Sequence, residues 1–442
     1  MKMRCSDFRL LPRSLPLKHS DGRARMEFPQ KRSVRTMSGN QREFSRRSFV
    51  KYGGGLAASL AMGRICLKAA GPKAADVIVI GAGSFGCNTA WHLREKGLSV
   101  LVVEAAKGPA QFTTQGAAGF VSSWSTVHVR EWGQIEWYLQ RYGIDFYTRL
   151  AKGTSQDIGF GANGIAYIYL TNEGWDRVQQ RAETARQFGT KLQSLDSERA
   201  KKILPQVNFP SVKGILYDPD SVRVRAGDAI AYLADSLAYR EVQFRYETLV
   251  ESLLHNDAGL VGVSTNHGDL WASSVVVAGG AACKALVEKS CGPCPAIPKP
   301  ATRYTTKPIQ GITPQMPMLI FSDYHGLYIR EERGGLLVGG DALAEQIREP
   351  IRKIENVMPA LRFADIEMIT GGMPTYTNDI LFILDEIPQC KGIYVIAGCQ
   401  EGGITHGPGL GRMMAELICE GKTTWDRSHY RLDRFSSHSA SS

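Results

Sequence analysis

The stretch that decides the fold runs from Asp76 to Glu104 and reads DVIVIGAGSFGCNTAWHLREKGLSVLVVE. It opens on DVIVI, a short apolar run suited to a strand buried on both faces of a parallel sheet. SFGCNTAWHLREKG then carries helical periodicity to a Gly stop, and LSVLVVE reads as a second strand. Two parallel strands need such a crossover helix between them. In the turn GAGSFG, Gly81 permits the tight bend, Gly83 lets the backbone approach a pyrophosphate, and Gly86 lets the helix pack close to its strand. The helix N-terminus offers unpaired N–H groups and the positive end of its dipole to the phosphates. Glu104 ends the second strand 23 residues after Gly81, where a carboxylate accepts from ribose hydroxyls and repels a 2′-phosphate. Strand, turn, helix, strand and terminal acid occur in order, so the stretch is read as a dinucleotide site.

Outward from this unit the chain becomes more β-like. GIAYIYL (164–170), LVGVSTNHGDLWASSVVVAGG (260–280) and GLYIREERGGLLVGG (326–340) are bounded by Gly or Asn turn signals, as in antiparallel meanders. Helical stretches interrupt them at 171–189 and 226–240. Trp132, Ile135, Leu139, Tyr142 and Phe146 recur at helical spacing and read as a core stripe. The expected fold class is α/β: a Rossmann-like domain with a parallel sheet and βαβ unit, plus an α+β substrate domain with a large antiparallel sheet. The expected division is a leader over 1–75, a discontinuous cofactor domain over 76–125, 216–282 and 370–425, a substrate domain over 126–215 and 283–369, and a tail over 426–442.

The formal charge of +10 is unevenly placed. Residues 1–75 hold 17 Lys and Arg against 4 Asp and Glu, a surplus of 13, which leaves residues 76–442 at −3. The basic footprint of a nucleic-acid binder is therefore missing from the folded part. Within the leader, SRRSFVK (45–51) precedes a weakly apolar run too short to span a bilayer. Arg46, Arg47, Phe49 and Lys51 fall in the register of a twin-arginine export signal, so a periplasmic or secreted protein without a stable membrane span is expected. Residues 1–36 add ten basic residues and no second signal, which makes Met37 a candidate start. Of nine cysteines, Cys291 and Cys294 form the close pair CGPC. Three readings are open for that pair: a dithiol, a local disulfide, or two ordinary loop cysteines. Pro295, Pro298 and Pro300 oppose the helix that a reactive dithiol needs. No Cys/His spacing matches a metal site.

Further motifs resemble one family. FTTQGAAGF (112–120), VVVAGGA (275–281), YIREERGGLLVGG (328–340), GMPTYTNDILFILDEIP (372–388) and GIYVIAGCQEGGITHGPGLGRMMAELI (392–418) are similar, in order and spacing, to segments of FAD-dependent oxidoreductases of the D-amino-acid oxidase type. The dimethylglycine and sarcosine dehydrogenase branch is the nearest. The resemblance covers nearly all of residues 76–422 and implies FAD as cofactor. It places the cofactor against Gly81, Ala82, Gly83, Ser84, Phe85, Gly86, Glu104 and Ala105, against Thr113, Thr114, Gln115, Ala118 and Gly119 beneath the flavin, and against Val250, Ala278 and Gly279. It also places Gly398, Gly402, Gly403, Ile404 and Thr405 around the ring. Tyr328, Arg330, Asp341 and Tyr376 are the candidate catalytic residues.

Three departures shape the expectation. Gly116 and Gly372 stand where relatives link FAD covalently, so the cofactor is expected to be non-covalent. Met373 or Pro374, and later Thr405, stand where relatives hold a substrate carboxylate, which leaves Arg330 or His406 as the replacement. A C-terminal folate-binding domain is expected to be absent. The implied chemistry is oxidation of a C–N bond in a small secondary or tertiary amine or amino acid, with O2, a quinone or a cytochrome as electron acceptor. The twin-arginine machinery, which carries folded cargo, suits a protein that must leave the cytoplasm with its cofactor bound. Two alternatives stay open: a same-fold dehydrogenase of a 2-hydroxy acid or other C–OH donor, and a non-catalytic electron-relay or assembly flavoprotein. His325 is read as a surface residue.

Overall fold

The computed structural model describes residues 72–124, 133–256, 259–324, 326–340, 351, 352 and 354–438. Arg46, Arg47, Met37, Trp132, His325 and Asp341 lie outside them. Among the described residues, two eight-stranded sheets carry the architecture.

The first sheet is built on the opening stretch. Its central strand, Lys73–Ile80, pairs in parallel with Val100–Val103 on one side and Gly268–Val277 on the other. Gln243–Arg245 and Ile393–Ala397 extend the sheet in parallel, and Ile383–Glu386 closes one edge antiparallel. Val77, Ile78 and Val79 are at most 1% exposed, as a strand covered on both faces requires. Strand Gly268–Val277 is long enough to serve twice. Its first half joins an antiparallel meander with Val261–Thr265 and Val250–His255, and its second half enters the parallel sheet.

Helix Ser84–Glu95 follows the Gly-rich turn and crosses helix Gly403–Glu420 closely. A Cβ on Gly411 would stand 2.6 Å from the Asn88 backbone, so glycine is what permits the crossing. Helix Gln134–Lys152 carries the expected stripe, with Leu139 and Phe146 buried and Ile135 and Tyr142 half-buried.

The second sheet runs in the order Ile366–Gly372, Ala301–Thr306, Gly335–Gly339, Leu327–Glu332, Met318–Phe321, Ile165–Tyr169, Gly214–Asp218 and Gln193–Ser194. All of its pairings are antiparallel except Met318–Phe321 with Ile165–Tyr169. One face packs on an apolar cluster that includes Leu319, Ile329, Val338 and Ile354. Residues 216–218 and 370–372, expected in the cofactor domain, pair within this second sheet. Each is the end of a strand that runs unbroken through that sheet, Gly214–Asp218 and Ile366–Gly372.

The cysteine reading is corrected. Cys291 is bonded to Cys390, 99 residues away, and Cys294 is a free buried thiol. Cys291 caps helix Cys283–Ser290, while Cys390 lies in the turn before Ile393–Ala397. Sheet topology, which local spacing does not reveal, brings the two together.

Candidate active site

Gly81 sits at φ 102°, in the left-handed region that glycine occupies without strain. A Cβ there would meet the Ala278 carbonyl at 2.7 Å. The turn of the first strand and the turn at Ala278–Gly279 therefore share one place at the carboxyl end of the sheet, where open α/β sheets bind ligands. Glu104 is 7% exposed. Its Oε2 accepts from the Ala82 N–H at 2.7 Å and its Oε1 from the Ala106 N–H at 2.8 Å. Ala105, beside it, is exposed, and Val250 is buried at the start of its strand.

Thr114 Oγ1 accepts from the Ser84 N–H at 3.1 Å and lies 3.1 Å from where a Gly83 Cβ would be. The Ser84 hydroxyl donates to the Gly403 carbonyl at 2.8 Å. The N-termini of helices Ser84–Glu95 and Gly403–Glu420 are thus tied together, with Phe85 packed 3.9 Å from where a Gly403 Cβ would be. Two positive dipole ends converge, which suits a pyrophosphate and an electron-rich ring. Ile404 and Thr405 are buried, and Thr405 Oγ1 donates to the Phe120 carbonyl at 2.9 Å.

The loop before that second helix is strained. Gln400 and Glu401 have φ values of 46° and 60°, costs of about 1–3 kcal/mol each that surrounding bonds must hold. The Gln400 N–H donates to the Thr375 carbonyl at 3.0 Å, and Gln400 Nε2 donates to Thr377 Oγ1 at 2.8 Å. Thr375 Oγ1 accepts from the Gly398 N–H at 3.0 Å. Gln400 Oε1 is buried and makes no hydrogen bond. A buried acceptor without a donor beside a glycine-lined turn fits a bound heterocycle with an N–H, as a flavin has. Tyr376 donates through its hydroxyl to Glu401, and Lys299 lies 5.0 Å over its ring.

The second sheet meets this region with its other face. Thr370, Arg303, Gly339 and Tyr328 stand side by side across four strands, so their side-chain positions share that face. Tyr328 lies 5.4 Å from the Phe120 ring, and Arg303 Nη2 donates to the Gln115 carbonyl at 2.7 Å. Arg303 Nε donates to Thr370 Oγ1 at 3.0 Å. Burial pushes the Arg303 guanidinium below its ordinary pKa, against the pull of Tyr328 and Glu332. Met373 and Thr113 are also joined, through the Met373 N–H and Thr113 Oγ1 at 3.1 Å.

Arg330 is placed differently from the expectation that it holds a donor. It is 2% exposed, with Nε on the Ala118 carbonyl at 2.6 Å, and Nη1 on the Glu331 carbonyl at 2.8 Å and on Glu332 at 2.6 Å. Burial pushes its pKa down to about 10. Its charge is matched by Glu332, so the structure gives it a scaffold position beneath Ala118 and Gly119. His406 is 2% exposed, with Nδ1 3.0 Å from the Gly402 carbonyl and its ring 4.8 Å from Phe382. Arg303, Gln400 and Glu401 were missed by sequence reasoning. The alternation in ATRYTT could have put Arg303 on one face of a strand, but nothing in the sequence says which face meets the cofactor.

Residues 76–417 match the family described as FAD dependent oxidoreductase, and the chain belongs to it. FAD is its cofactor. Among curated relatives, the chain is 27% identical over 389 residues to 4-methylaminobutanoate oxidase (formaldehyde-forming) of Paenarthrobacter nicotinovorans, covering 83% of this chain and 46% of that protein. It is 24% identical to the mitochondrial pyruvate dehydrogenase phosphatase regulatory subunit of Mus musculus, covering 82% and 43%. The chain thus spans about half the length of these curated relatives. Among solved structures, L-proline dehydrogenase from P. horikoshii superposes with a TM-score of 0.73 at 22% identity, covering 83% of this chain and 99% of that one. That likeness concerns the fold.

Proposed function

We propose that this protein is an exported FAD-dependent oxidoreductase that oxidises a C–N bond of a small secondary or tertiary amine or amino acid. The observation that supports this reading is the row Thr370, Arg303, Gly339 and Tyr328 facing the 113–120 segment, a polar sheet face set against the cofactor turn where a donor would be held. When bound, FAD supplies the hydride acceptor. The chain's own groups bind and orient the donor: Tyr328 and Phe120 wall the space, and the Tyr376–Glu401 pair fixes the loop before helix Gly403–Glu420. The oxidised donor is an imine, which water hydrolyses to an aldehyde or oxo acid and an amine. O2, a quinone or a cytochrome takes the electrons onward.

The relative that acts on 4-methylaminobutanoate supports a methylated amine as donor. Anaerobic mixing with a panel of N-methylated amines, amino acids and 2-hydroxy acids tests the reading. Flavin bleached by an amine supports it, and bleaching by a hydroxy acid alone replaces it. The likeness to a regulatory subunit favours a second reading, a non-catalytic flavoprotein, and flavin that no donor bleaches would support that one. Export is supported by the SRRSFVK pattern and by the Cys291–Cys390 disulfide, which suits an oxidising compartment. Changing Arg46 and Arg47 together to Lys should retain the protein in the cytoplasm, and unchanged secretion would remove the export reading.

A further inference from the structure

The segment 427–435 runs beside the edge strand Ile383–Glu386 and is fastened at three places. Arg427 Nη1 and the Leu432 N–H donate to the two oxygens of Asp385, at 2.6 Å and 2.9 Å. Tyr430, 1% exposed, donates through its hydroxyl to Glu136 Oε1 at 3.0 Å and sets its ring 5.7 Å from Phe382. The third fastening is on the turn 377–381. Arg434 Nε donates to Asp379 Oδ2 at 2.7 Å, and Nη2 reaches the Leu381 carbonyl at 3.3 Å. Its Nη1 donates to the Arg431 carbonyl at 2.9 Å and its guanidinium lies 4.2 Å over the Phe435 ring, so the planar fork is fixed from behind.

That turn is bent against the preference of its own residues. Ile380 has a φ of 62°, an outlier for a β-branched side chain, and surrounding bonds must hold it there. The Thr377 hydroxyl donates to the Leu381 carbonyl at 2.7 Å, and the Leu381 N–H donates to Asp379 Oδ1 at 3.2 Å. Burial pushes the Asp379 carboxyl up, but bonds from Arg434 and Thr377 outweigh it and hold the group below its ordinary pKa. The same Leu381 carbonyl accepts from Gln400 Nε2 at 3.2 Å, and Nε2 also lies 2.8 Å from Thr377 Oγ1. With its one proton spent on Leu381, the Thr377 hydroxyl only accepts from Gln400. The turn therefore dictates the orientation of the Gln400 amide. Its nitrogen faces the turn, and Oε1 is the end left buried without a hydrogen bond. One carbonyl thus serves both the 427–435 segment and the cofactor loop.

We propose that the segment 427–435 is a clasp on the cofactor site and that Arg434 is a positioning residue: by holding Asp379 and the Leu381 carbonyl, it fixes the turn that aims Gln400 Oε1 at an N–H of the flavin. The proposal rests on FAD as the cofactor and is independent of the donor. The influence of Arg434 passes through one carbonyl and one turn.

The test uses the FAD-loaded protein. Release of FAD on dilution, followed by flavin fluorescence, gives its affinity, and the visible absorbance of the bound flavin reports on its hydrogen bonds. Arg434→Met should weaken FAD binding about fivefold or more, the loss of roughly one hydrogen bond, and should shift the flavin band. Arg434→Lys, which keeps the charge opposite Asp379, should recover most of both. Gln400→Met should weaken binding by a similar factor. In the Gln400→Met background, Arg434→Met should then weaken it no further, because residues that act through one contact do not add. A role in stability alone predicts otherwise: the two losses multiply, and the flavin band of Arg434→Met matches that of the wild type. Either of those results overturns the proposal. If Arg434→Met does not load FAD, Asp379→Asn, which loosens the same grip more gently, takes its place in the cycle and is judged by the same two outcomes.

Discussion

Glu104 and Ala82 close the first turn on each other, the Glu104 carboxylate accepting the Ala82 N–H at 2.7 Å while its second oxygen accepts the Ala106 N–H at 2.8 Å. One buried carboxylate thus fixes both sides of the place where a ribose must lie. Hydrogen bonds to charged groups contribute about 1.5–3 kcal/mol each. Glu104→Ala should lower FAD affinity tenfold or more and reduce thermal stability as well. The ratio of flavin to protein absorbance, read beside a melting curve, checks this. Full FAD content at wild-type stability would remove Glu104 from the cofactor site.

Two glycines of the same turn should fail in different ways. A Cβ on Gly83 would meet only the Thr114 hydroxyl, at 3.1 Å, whereas a Cβ on Gly86 would collide with the Gly81 backbone carbonyl. A side chain end can move and a turn backbone cannot. Gly83→Val should therefore yield folded, colourless protein, because the pyrophosphate approach is blocked. Gly86→Ala should lose about 1–3 kcal/mol of stability through overpacking. Circular dichroism and flavin content together separate the two, and a yellow Gly83→Val variant would contradict the first expectation.

FAD should leave the denatured chain. Gly116 packs so closely that a Cβ would lie 2.6 Å from the Gly371 carbonyl, which leaves no room for a linking side chain. Acid precipitation should release all the yellow colour into the supernatant. Fluorescence that stays with the polypeptide on a denaturing gel would mean a covalent link elsewhere.

Arg330 should behave as part of the scaffold. Its removal leaves Glu332, 13% exposed, without its partner at 2.6 Å, and breaking a buried pair costs about 3–5 kcal/mol. Arg330→Met should therefore lower the melting temperature sharply and shed FAD, since the Ala118 carbonyl also loses its donor. A stable variant that keeps FAD but is reduced by its best donor thirtyfold more slowly would return Arg330 to the donor pocket.

The first sheet was legible because local chemistry dictates it. The apolar run, the glycines and the terminal Glu104 lie within thirty residues, and each has one physical use. The second sheet was legible as strands but not as a surface. Tyr328 and Arg330 are two apart and share a face, yet one reaches Phe120 and the other is spent on Glu332. Which residue fills which role depends on Gln115, Ala118 and Phe120, some two hundred positions earlier. Arg303 escaped notice for the same reason, because its partners Thr370 and Gln115 are 67 and 188 residues away. Pairing across such distances is a property of the topology.

Cys291 and Cys390 join the end of helix Cys283–Ser290 to the turn between strands Ile383–Glu386 and Ile393–Ala397. The closed loop spans 99 residues, and a cross-link of that length restricts the unfolded chain by up to about 4.7 kcal/mol in the chain-entropy view, with 2–5 kcal/mol typical of measured losses. Cys294 is buried in the same apolar cluster, and burial holds its thiol above its ordinary pKa, so it is a poor competitor for the bond. Cys390→Ser should lower the melting temperature by several degrees, and the wild type should fall to the same value in reductant. Cys294→Ser should leave the dependence on reductant in place. Alkylation before and after reduction counts the thiols directly. A wild type whose melting temperature ignores reductant and in which Cys291 and Cys390 both alkylate without it would show no disulfide. The export reading would then rest on Arg46 and Arg47 alone.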